Sequence, residues 1–257
     1  MWPDAHQGAG LLGFVPGQGP RLLPVLSHPG ATLELEVLWQ LARALQDAGH
    51  DTLVLDAGAP ERVAEPGLTQ WLQARTGAWP EGVREFAVAP AAQGVAALVA
   101  RGGARALEHL ADAVRHFSVV LLYAPPVQVA ALFADQCVSP LVLHVPGDAA
   151  LLRSYALLKR MKSLTPLRCA VAGVACRPDD LQALRDTLEV LRQRCHQWLG
   201  ESPRAVAVDG SDEEALDTLA LQLMEGACTM QAAPVRRAPT AHVPQGTITR
   251  YHGHSMV

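Results

Sequence analysis

The stretch Ser118-Val119-Val120-Leu121-Leu122-Tyr123-Ala124-Pro125-Pro126 decides the fold. It is apolar at every position from Val119 to Leu122, β-branched at its start, and stopped by two prolines. A strand with no polar alternation must be covered on both faces, which is the signature of a parallel sheet sandwiched by helices. The preceding segment, Ala104 to Phe117, carries Leu107, Leu110 and Val114 at helical spacing, so a helix feeds this strand.

The same alternation extends in both directions. Upstream, Arg21 to Leu26 reads as a strand, Leu33 to Ala48 as a helix with Val37, Leu38, Leu41 and Leu45 on one face, and Thr52 to Asp56 as a strand ending in a carboxylate. Gly49-His50 stops that helix. Phe86 to Val88 is a weaker strand. Downstream, Cys137 to Val145, Arg168 to Val174 and Ala205 to Val208 read as strands. They are separated by helices over Ala149–Lys162 and Asp179–Leu199, and Asp212–Glu225 forms a last helix. The expected architecture is a mostly parallel α/β sheet with helices on both faces. It forms one domain over residues 21–230, after a flexible leader (1–20) rich in Gly and Pro and before a disordered tail (231–257) without periodicity.

Composition narrows the function classes. With 257 residues the chain can bury a large core, and a net charge of -4 with 18% charged residues gives no basic footprint for nucleic acid. The five cysteines, Cys137, Cys169, Cys176, Cys195 and Cys228, contain no C-x-x-C pair, which suits reduced thiols better than disulfides or zinc. Prolines and polar residues interrupt the most apolar region, Phe117 to Val145, so no transmembrane helix is expected. The leader lacks a signal-peptide pattern, and the cytoplasm is the expected location.

Three segments carry a resemblance. Ala44 to Ala57 (ALQDAGHDTLVLDA) is similar to the first helix and second strand of MinD/ParA-type P-loop ATPases, which read ALxxAGxxVLLLDAD. Ser118 to Pro126 resembles their YDxVLIDAPP strand, and His144 to Lys159 (HVPGDAALLRSYALLK) their TTPEPxSLxDAYALLK segment. The three lie in the family's order and spacing and span roughly residues 21 to 225. The resemblance implies a nucleotide pocket at the strand C-termini, built here from Gly30, Ala31, Thr32, Glu34, Asp56, Tyr123 and Pro146.

The departures from the family pattern are concentrated in that pocket. Aligned without gaps from Gly49, Pro29 to Leu35 fall on the family's K-G-G-x-G-K-[ST] loop, and only Gly30 is retained. Pro29 replaces the signature lysine, Glu34 the phosphate lysine, and Leu35 the magnesium-binding hydroxyl. Tyr123 stands for the strand-end aspartate and Gly58 for the second aspartate of DAD, leaving Asp56. A carboxylate facing a triphosphate is repulsive, and proline removes an amide from the cradle. The resemblance thus implies a pseudo-ATPase with no catalytic residues, no metal and no cofactor; Mg-ATP bound by a rebuilt loop is the alternative.

Within the family, the resemblance is to the MinD-like flagellar-number regulators (FlhG type), which act on an SRP-type flagellar GTPase (FlhF). Their DQAxGLR element is matched in part by His6 to Leu12, without the aspartate and arginine, and Gly94 to Leu98 sits at their GxxAL segment. This implies a protein partner, with homodimerisation and a peripheral membrane visit left open. Cellulose-synthesis, pilus and division-site localisation factors of the same fold are the other branches.

Plainer readings stand beside these. Asp56 reads as a leftover ligand residue or as a cap on the next turn. Glu34 reads as a new functional acid or as a first-turn carboxylate favoured by the helix dipole. Tyr123 reads as a base-stacking residue or as an aromatic closing the pocket. The 179–199 helix, with Leu181, Leu184, Leu188, Leu191 and Trp198 on one face, reads as a crossover helix in preference to a membrane-surface one. His109 and His116 read as helix-surface residues, and His252 with His254 makes a poor metal site.

Overall fold

The computed structural model describes residues 19–29, 32–62, 67–73, 87–175 and 177–230. Eight strands form one sheet: β1 (Arg21–Leu26), β2 (Thr52–Asp56), β3 (Ala87–Pro90), β4 (Val119–Ala124), β5 (Leu141–His144), β6 (Ala170–Ala175), β7 (Arg204–Asp209) and β8 (Cys228–Thr229). The order is β3-β2-β4-β1-β5-β6-β7, all parallel, with β8 antiparallel to β1. The helices are α1 (Thr32–Asp47), α2 (Leu68–Gln73), α3 (Ala92–Arg101), α4 (Gly103–Ala113), α5 (Pro126–Phe133), α6 (Asp148–Leu164), α7 (Asp180–Leu199) and α8 (Glu213–Glu225).

Alternate residues of each strand feed two cores. Leu23, Val25, Val54, Leu121 and Leu143 face α1 and α8; Leu22, Leu26, Leu55, Leu122 and Val142 face the layer that includes α3 to α7. Each central strand is therefore apolar on both faces, which is why its sequence shows no alternation. The helix over 180–199 lies between β6 and β7 and buries Leu184, Leu188, Leu191 and Cys195. Trp198 departs from the expected stripe and is 65% exposed, because in the last turn Cys195 and Leu199 are the residues that face the core. His116 is exposed, whereas His109 is half-buried.

Other elements differ from the sequence reading. The strand expected over Cys137–Val145 is confined to Leu141–His144, because β8 takes the N-terminal half of the β1 edge. Leu22 pairs with Cys228 there, and β5 meets β1 only at Val25. Helices α2, α3 and α5 were not expected. α5 starts on Pro126 and buries Val129, Ala130, Leu132 and Phe133, so it shows no polar stripe to betray its period. The leader to residue 18, the tail from 231, Phe86, Cys176 and the histidine pair at 252 and 254 lie outside the described residues. Among the described residues, no helix is long and apolar enough to cross a membrane.

Glu61 fixes the entry to the α2–α3 layer. Its Oε2 accepts from the Thr69 N–H at 2.7 Å and its Oε1 from the Gly94 N–H at 2.6 Å, so one carboxylate caps the first turns of two helices. Gly94 has to be glycine here, since a Cβ would stand 2.7 Å from Leu68.

Candidate functional site

Ligands of open α/β sheets sit beyond the strand C-termini, where loops turn into helices. Here β1 and β5 are neighbours, and the helices that follow them, α1 and α6, both begin at that edge. Glu34 lies in the first turn of α1 and is buried. Arg153, in the second turn of α6, places its Nε 3.2 Å from Glu34 Oε1. The helix N-terminus and the guanidinium together offset the cost of enclosing the carboxylate.

Tyr123 and His144 close the space around this pair. Tyr123, second from last in β4, is buried, and its phenol is hydrogen-bonded to the backbone of His28. Burial, then the Glu34 charge, pushes the phenol up to about 12, so it stays protonated. His144, the last residue of β5, has no exposed surface. Its Nδ1 is 2.8 Å from Ser154 Oγ, and its Nε2 has no partner among the described residues. Burial lowers its pKa to about 4, with Arg153 adding to the effect and Glu34 opposing it, so the ring is neutral at pH 7.

The remaining expected site residues are spread around this cluster. Asp56 is half-exposed, and its Oδ1 accepts from the Gly58 N–H at 2.8 Å, closing the turn after β2. Pro146 is half-exposed in the loop before Gly147, whose φ of 122° starts α6. Thr32 is the first residue of α1; Gly30 and Ala31 lie outside the described residues. Leu35 packs against the core of the α1–α8 face. The structure thus brings Glu34 and Tyr123 together; Asp56 is in register with Tyr123 at the ends of β2 and β4 and its charge also acts on the phenol, while its own Oδ1 serves the following turn. Arg153, His144 and Ser154 lie within the His144–Lys159 segment that carries the resemblance, but nothing in that segment marks them as site residues. They reach Glu34 only through the packing of α6 beside β5.

The chemistry available here is limited. Ser154 and His144 are hydrogen-bonded but almost wholly enclosed, so they offer no surface to a substrate. No group of three metal-ligating side chains occurs among the described residues. The chain has two lysines, Lys159 and Lys162, both in the last turns of α6. At 1.5 Å per residue they stand about 16 and about 21 Å along the helix from its start, toward the opposite edge of the sheet.

No family model and no curated protein matches the sequence. Solved structures do. The MinC:MinD cell division protein complex of Aquifex aeolicus aligns over 84% of this chain and 98% of its own, at 11% identity and a TM-score of 0.54. MinD of the same organism aligns over 82% of this chain and 99% of its own, at 13% identity and a TM-score of 0.50. At these identities the likeness is one of fold: the chain has the α/β fold of MinD.

Proposed function

We propose that this chain is a non-hydrolysing member of the MinD/ParA-like fold that acts as a regulatory protein by binding a protein partner. The observation that supports this most directly is the ion pair between the buried Glu34, at the start of α1, and the half-buried Arg153 of α6. The gapless alignment puts the family's phosphate lysine at Glu34. In that register a triphosphate would have to approach a carboxylate, and the nearest guanidinium is already engaged by it. Separating a largely buried ion pair costs on the order of a few kcal/mol before any new contact forms. Neither lysine of the chain stands at this edge to compensate.

MinD of Aquifex aeolicus is found in complex with MinC, which makes protein docking a natural use of the fold. On the partial match of His6 to Leu12 and of Gly94 to Leu98, the partner we propose is an SRP-type flagellar GTPase (FlhF), and the process is control of flagellar number or placement.

Calorimetric titration of the full chain with ATP and ADP, with and without magnesium, tests the first part. No heat at high micromolar nucleotide is expected. Magnesium-dependent binding would overturn the reading and move Glu34 and Tyr123 off the positions assigned to them. Sedimentation of the chain with the purified GTPase tests the second part: a complex formed without added nucleotide supports it, and none at tens of micromolar rejects that partner.

A further inference from the structure

The two edges of the sheet differ. β3, at one edge, is four residues long and ends in Pro90, and a short strand stopped by proline offers little to an incoming chain. β7, at the other, is six residues long, and its centre, Ala205-Val206-Ala207-Val208, holds no lysine, proline or glycine. Among the described residues no strand lies beyond it.

The register shows which main-chain groups are left over. Gly210 N–H donates to the Ala175 carbonyl at 2.9 Å, so the even-numbered residues of this segment turn their amides and carbonyls toward β6. The amides and carbonyls of Ala205 and Ala207 therefore point outward, away from the sheet. Beside them, on the face shared with α8, runs a groove of about 310 Å³ lined by Val206, Val208, Ala215 and Leu219, with Asp212 and Glu214 at one end. That is at the small limit of ligand pockets, roughly 300–1,000 Å³. It is also open to solvent, so it suits side chains presented by a strand better than a free small molecule.

The charge at that end is one-sided. Asp209, Asp212, Glu213, Glu214 and Asp217 gather where β7 turns into α8, and none of them makes an ion pair among the described residues. Free main-chain groups, a groove for alternate side chains and uncompensated acids together select one occupant: an extended, basic segment.

We propose that β7 takes an extended basic segment of a partner protein as an added strand, with small apolar side chains beside Val206 and Val208 and a lysine or arginine over Asp212 and Glu214. The inference rests on the protein-binding reading above and gives that binding a surface.

The probe is the blocked peptide acetyl-Lys-Val-Thr-Val-Arg-Val-Lys-amide, titrated into the full chain by calorimetry. Saturable one-to-one binding is expected at high micromolar peptide. An analogue with glutamate at its three basic positions should bind at least tenfold more weakly, and one with every amide N-methylated should not bind. Ala207→Pro removes an outward N–H and leaves the β6 ladder intact, since proline is tolerated on a free edge. In a protein whose thermal unfolding matches the parent, it should weaken the peptide by tenfold or more; if that variant does not fold, the N-methylated peptide makes the same test. Asp212→Asn with Glu214→Gln keeps an acceptor at the Ala215 N–H and should also weaken binding about tenfold. Absence of saturable binding overturns the proposal, as does equal affinity for the acidic analogue or a folded Ala207→Pro variant that binds like the parent. A dimer of the chain that Ala207→Pro dissolves also overturns it, since the edge then belongs to a second copy. A complex with the flagellar GTPase that survives Ala207→Pro places the partner elsewhere and overturns this site alone. None of these outcomes alters the nucleotide titration, so the two readings fall separately.

Discussion

Glu34 and Arg153 are 119 residues apart in the chain and meet at 3.2 Å. The contact ties the first helix to the sixth across neighbouring strands.

Removing one member should be costlier than removing both. Arg153→Ala leaves Glu34 enclosed without its counter-charge, and about 2 kcal/mol of stability should be lost, less than for a fully buried pair because Arg153 is 32% exposed. Glu34→Leu combined with Arg153→Leu should recover most of that loss. Urea denaturation of the two single variants and the double variant gives the coupling directly; additive losses would show that the pair contributes nothing.

Stability should fall as the solution is acidified below pH 6.5. The neutral form of His144 is favoured in the fold, with a pKa of about 4 against an ordinary value of 6.5. Between these two values the unfolded chain binds the extra proton, so stability rises with pH, is complete above 6.5, and is lost toward 4. The slope contributed by this one ring approaches about 1.4 kcal/mol per pH unit. His50, also lowered by burial, contributes in the same direction. Urea midpoints at pH 7, 6 and 5 for the parent and for His144→Gln should therefore diverge, with the variant the flatter of the two. Parallel curves would show that the ring is not held neutral.

Glu61→Ala should uncap two helices at once. Loss of the acceptor for the Thr69 and Gly94 amides is expected to cost about 2 kcal/mol, at the upper end for a single cap because both carboxylate oxygens are used. Hydrogen exchange should speed up at the starts of α2 and α3 and remain unchanged in β1 and β4. Uniform acceleration would mean that Glu61 supports the whole domain and not that layer.

The fold was legible wherever burial imposes a pattern. Val119 to Leu122 are apolar because helices cover both sides of β4, and Val37, Leu38, Leu41 and Leu45 recur because one side of α1 faces the sheet. Legibility failed where packing removes the pattern. α5 starts at a proline and its exposed face carries Val127 and Ala131 in place of polar residues, so its sequence resembles a continuation of β4. The strand at Cys137 was read too long because nothing local announces that Cys228 will take its place beside Leu22. The candidate site divides in the same way. Asp56 and Tyr123 could be located because strand ends are visible in sequence. Arg153 and His144 could not be given their partners, since only the tertiary crossing of α6 brings them to Glu34.

The seam between β1 and β8 has a consequence for biosynthesis. Met230 N–H bonds to the Pro20 carbonyl at 2.8 Å, and Thr229 pairs with Arg21. β1 thus completes its edge with residues made some two hundred positions later. Until those emerge from the ribosome, the lower half of β1 presents bare amides and carbonyls, an edge open to mispairing. Nascent chains truncated before Cys228 should accordingly depend on chaperones, and the domain closes as a unit only when its last strand arrives.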